Sequence, residues 1–83
     1  MNFKELAIYE ALISSKNYLY LTRIIAYDVD EAWIIASNYM PDYKVINVKC
    51  QYYQKEMPLI DFEKHKGTVI YQRMLCAISD VGI

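Results

Sequence analysis

Apolar and polar positions change period three times along the chain. At about 100° per residue, Val29, Ala32, Trp33, Ile35, Ala36, Tyr39 and Met40 fall on one arc. Asp30, Glu31, Ser37 and Asn38 fall opposite, and Ile34 alone breaks the pattern. This predicts an amphipathic helix over 29–39. Asp28 stands at its N-cap, with Glu31 three residues on as in a capping box. Asp30 and Glu31 also complement the positive end of the helix dipole. Pro41 disfavours helical geometry at Met40 and ends the element.

Residues 43–53 alternate instead. Ile46, Val48, Cys50 and Tyr52 share one face, and Val45, Asn47, Lys49, Gln51 and Tyr53 the other. The first set is expected to face the helix, which would bury Cys50. Residues 18–27 are β-branched and aromatic, a second strand running up to Asp28. Tyr18, Tyr20, Thr22, Ile24 and Ala26 are expected on its helix-facing side, because small Ala26 lets the helix start approach. That leaves Leu21, Ile25 and Tyr27 on the other side around Arg23. Val45 and Tyr53 are expected to join them there.

Residues 5–13 admit either state, but a helical wheel would set Glu10 between Phe3 and Leu6. Strand is preferred, joined to the next by the polar turn Ser14-Ser15-Lys16-Asn17. The tail 68–78 is also double-valued: Thr68 to Tyr71 favour strand, while Ile70, Met74 and Ile78 form a helical stripe. Strand is again preferred. Between them, QKEMPLIDFEKHKG reads as a polar connection broken by Pro58 and Gly67. The expected fold is one α+β domain over residues 1–83. It has the order β-β-α-β-β, with a small antiparallel sheet and one helix packed on one face.

Composition adds an excess. Hydrophobic residues make up 55% of the 83, above the usual fraction of about 45–50%. One helix covers one sheet face, so the other face is expected to meet water, a protein partner or a second copy in a homodimer. Nine tyrosines suit such a surface, since tyrosine combines large contact area with few rotors. Arg23, Tyr27, Tyr43, Tyr53 and Trp33 are the candidate partner-binding residues. A net charge of −1 makes nucleic acid an unlikely partner, because phosphate contacts need a positive field.

Catalytic chemistry finds little support. His65 is the only histidine and sits between two lysines, without a nucleophile pattern. The acids Asp28, Asp30 and Glu31 are accounted for by capping. Two cysteines and one histidine make no zinc site, and two glycines make no phosphate loop. No catalytic residue, cofactor or metal is expected. Free, reduced, buried cysteines and a cytoplasmic location are expected, because no apolar run reaches membrane-spanning length.

The segment IIAYDVDEAWIIASNY followed by YKVINVKC resembles small proteins encoded by phages and mobile elements, some anti-CRISPR inhibitors among them. The resemblance spans roughly residues 5–53. It implies a compact, non-enzymatic inhibitor that works by occupying a partner's surface. It names no partner and no functional residue. The alternative is a small metabolite-binding or nucleic-acid-stacking regulatory domain.

Overall fold

A computed structural model describes residues 5–56 and 60–77. Pro58 and the end of the tail, Ile78 and Ser79, lie outside these residues. The elements are β1 (Ala7–Ser14), β2 (Tyr18–Ala26), α1 (Val29–Tyr39), β3 (Lys44–Tyr53), a 3₁₀ turn (Gln54–Glu56), α2 (Phe62–His65) and β4 (Val69–Ala77). The four strands form one antiparallel sheet in the order β3-β1-β2-β4. The fold is α+β, and both ambiguous segments are strands.

The β1–β2 hairpin holds the centre of the sheet. Its turn is closed by Ser15, whose Oγ accepts from the backbone N–H groups of Asn17 and Tyr18. Helix α1 starts where the sequence placed it. The Asp28 carboxylate accepts from the Glu31 N–H at 2.8 Å, and the Glu31 carboxylate accepts from the Tyr27 N–H at 3.1 Å. The reciprocal bond thus reaches one residue beyond the cap.

The main core lies between α1 and the sheet: Ala7, Tyr9, Ala11, Ile13, Ile24, Ala26, Ala32, Ala36, Val45 and Val48. Alanines on both sides, Ala32 and Ala36 over Ala7, Ala11 and Ala26, make a thin layer. Thr22 and Ile24 are buried with Ala26 on this side, as expected for β2. The Thr22 hydroxyl has no hydrogen-bond partner among the described residues.

The expected faces of β3 need correction. Val48 is buried under the helix as expected, but Val45 joins it there while Ile46 is exposed, and Cys50, on its expected side opposite Tyr9, is exposed rather than buried. Two register shifts against β1 exchange the faces at both ends of β3: Ile13 pairs Val45 but Leu12 pairs Asn47, and Tyr9 pairs Cys50 but Ile8 pairs Tyr52. Ile46 and Gln51 are therefore extra residues in bulges, and each bulge reverses the alternation. Tyr53, opposite Ala7, likewise lies on the helix side and not on the open one. Cys76 is also exposed, and both thiols are free. They sit on opposite edge strands, separated by three strand spacings, about 14 Å across the sheet alone, and by several rows along it, too far for a disulfide.

The far face is not wholly open. Leu6, Ile8, Ile25 and Phe62 form a second small core, with Tyr27, Ile60 and Ile70 packed against it. The segment expected to be a polar connection supplies its lid, because Phe62 is only 1% exposed. Asp61 caps the short α2 by accepting from the Lys64 N–H. Gly67 takes a positive φ of 77° and donates its N–H to the Ile25 carbonyl at 2.7 Å, which turns the chain into β4.

Candidate sheet-face interaction site

Beyond the Phe62 lid the far face continues as three cross-strand rows. The register sets Lys49, Glu10, Arg23 and Tyr71 side by side across all four strands. The next row is Asn47, Leu12, Leu21 and Arg73, and the last is Lys44, Ser14, Leu19 and Cys76. Neighbours in such rows touch, since directly opposed Cβ atoms stand about 5 Å apart. Leu12, Leu19 and Leu21 are half-buried, while Asn47, Lys49, Tyr71, Arg73 and Cys76 are exposed.

Arg23 occupies the middle of this surface. Its Nη2 and Nε donate to Glu10 Oε2 at 3.3 and 3.4 Å. Its guanidinium carbon lies 4.9 Å from the centre of the Tyr71 ring. Arginine suits both contacts because its planar group stacks and donates at once. The pair is half-exposed, so it contributes only about 0–1 kcal/mol to stability. Its larger effect is to hold a cation in one position above the leucine floor.

The five residues expected at a partner site do not converge. Arg23 is central. Tyr27 lies on the same side but packs against the small core under Phe62. Tyr43 packs on the helix side against the main core, with its ring 5.8 Å from that of Tyr20. Tyr53 is exposed at the β3 edge. Trp33 is 40% exposed on α1, because the alanine layer beneath the helix has no room for an indole. Tyr71, Lys49 and Arg73, which complete the rows around Arg23, were missed. Their placement depends on the pairing of the two edge strands, which residue types alone do not specify.

The remaining chemistry is sparse. No cluster of three or more metal-ligating side chains occurs among the described residues. One shallow groove, about 300 Å³, runs between α1 and β4 and is lined by Ile35, Asn38, Tyr39, Gly67 and Val69. A second, about 460 Å³, is lined by Ile60, Val69 and Ile70 with His65. His65 and the Tyr39 phenol are the ionisable side chains among the residues lining the two grooves. No helix of the described residues is long and apolar enough to cross a membrane. The chain matches no family model, and no curated protein or solved structure matches it either.

Proposed function

We propose that this chain is a non-enzymatic protein-binding module that docks through the three rows of its sheet that no described residue covers. The observation that carries the reading is the Lys49–Glu10–Arg23–Tyr71 row beside Leu12, Leu19 and Leu21. It offers an apolar floor with a pre-positioned guanidinium at its centre. Arginine and tyrosine are residue types that carry binding energy at protein interfaces. A side chain already held by Glu10 and Tyr71 loses less freedom on binding than a free one. A partner seated here would have its own surface covered by a rigid sheet. That mode of action fits the inhibitor expected from the resemblance.

Affinity capture from the source cell tests the reading. Arg23→Ala and Tyr71→Ala should each reduce partner recovery at least tenfold, while Lys55→Ala in the exposed 3₁₀ turn serves as a control. Melting temperatures should stay within a few degrees of the wild type. Undiminished recovery by both sheet-face variants would remove the basis for this site.

A further inference from the structure

We propose that the three-row sheet face, which no described residue covers, receives helix α1 of a second copy of the chain, so that molecules stack head to tail. The proposal rests on reading that face as a protein-docking surface. It starts from a segregation of charge. Residues 27–43 carry four carboxylates, Asp28, Asp30, Glu31 and Asp42, and no lysine or arginine. The three rows carry Arg23, Lys44, Lys49 and Arg73 against the single carboxylate of Glu10. The sheet separates the two regions, so one molecule presents an anionic side and a cationic side in opposite directions.

Each side also carries exposed apolar surface. On α1, Val29, Trp33 and Ile34 are exposed, Ile34 by 60%, and Asp30 lies beside Ile34 on the outward arc. On the sheet, Leu12, Leu19 and Leu21 form the floor between the cations. Dimensions agree as well. An 11-residue helix is about 16 Å long. Four strands span about 14 Å, and the three rows about 13–14 Å along them. The ridge carrying Phe62 bounds the area at one end. In the stack every sheet has a helix on each face, its own and its neighbour's, which is a stable layer arrangement. Two sheet faces meeting each other would instead oppose four cations to four, with only Glu10 on each side to offset them.

The contact is heterologous, so growth does not stop at two copies unless a ring closes. Sedimentation velocity on the full chain, over a dilution series at low and high salt, reads this directly. At low salt the mean mass should rise with concentration above the monomer's 9.8 kDa and pass the dimer. It should return toward the monomer in about 0.5 M salt, where screening is strong. Ile34→Glu and Arg73→Glu should each weaken association at least tenfold. Asp30→Lys should weaken it too, and Asp30→Lys combined with Arg73→Glu should restore it.

Three results would overturn the stack. They are a monomer mass at every concentration, a dimer that never grows, and association unchanged in Ile34→Glu. Partner capture that survives Ile34→Glu but is lost in Arg23→Ala would leave the docking reading standing while the stack fails.

Discussion

Two aromatic residues exchanged the places expected of them. Trp33 lies on the apolar arc of the best-marked helix, yet it is 40% exposed. Phe62 lies in a stretch crowded with lysine, glutamate and aspartate, yet it is among the most buried side chains. Periodicity assigns a side chain to a face, but the depth of the layer decides whether a large ring fits. Ala32 and Ala36 over Ala7, Ala11 and Ala26 leave a layer suited to methyl groups. Phe62 instead meets Leu6, Ile8 and Ile25, with Tyr27, Ile60 and Ile70 packed around them. One ring in a four-residue helix gives no periodic signal, so its role was not legible. Phe62→Ala should destabilise the domain by about 3–5 kcal/mol, measured by urea unfolding at equilibrium. A loss below about 1 kcal/mol would mean the lid contributes little and the far face is open along its whole length.

At the level of elements, legibility follows how local the cause is. Helix α1 is set by neighbouring residues, Asp28, Glu31 and Pro41, and it lies where they place it. Strand β3 was found with nearly its true ends, but its faces were misassigned. A bulge depends on the strand opposite, and nothing in KVINVKCQYY announces one. The alternation from Lys44 to Tyr53 reads as continuous, whereas the register against β1 slips at Ile46 and again at Gln51. Paired substitutions test the slip. Val45→Asp puts a carboxylate under α1 and should destabilise by roughly 3 kcal/mol or more, because the charge is buried without a partner. Ile46→Asp, one residue along and exposed, should cost about 0.5 kcal/mol or less. Thermal melts of the two variants distinguish the bulged register from the regular one, which predicts the reverse order. Cys50 lies between the two slips, on the helix side opposite Tyr9, yet it is exposed on the edge strand, so its thiol should react with a water-soluble disulfide reagent without unfolding.

At the scale of the whole molecule, the apolar excess divides into a buried share and an exposed one. Part of it forms the second core under Phe62, and the rest remains on the outer arc of α1 and the two edge strands. The strand order was not legible, since only the β1–β2 hairpin is adjacent in sequence as well as in space.

Tyrosine content has a consequence at this scale that does not depend on any partner. Burial raises the Tyr9 phenol above its ordinary value of 10.0, with Cys50 and Tyr53 adding to the effect. Partial desolvation beside Tyr43 raises Tyr20 in the same direction. The Lys66 ammonium is raised too, chiefly by its hydrogen bond to Glu63. In all three cases the folded chain holds its proton more tightly than the unfolded chain. Their contribution to stability is therefore complete below the unfolded values, near 10 for tyrosine and 10.5 for lysine. It is lost as pH rises through the folded ones. The melting temperature should thus be insensitive to these groups between about pH 7 and 9 and fall above about pH 10. Tyr9→Phe keeps the ring and removes the titration that lies in the core, so it should flatten that fall. An unchanged alkaline slope in Tyr9→Phe would assign the loss to Tyr20 and Lys66, on the surface, and would mean that Tyr9 ionises without opening the layer beneath α1.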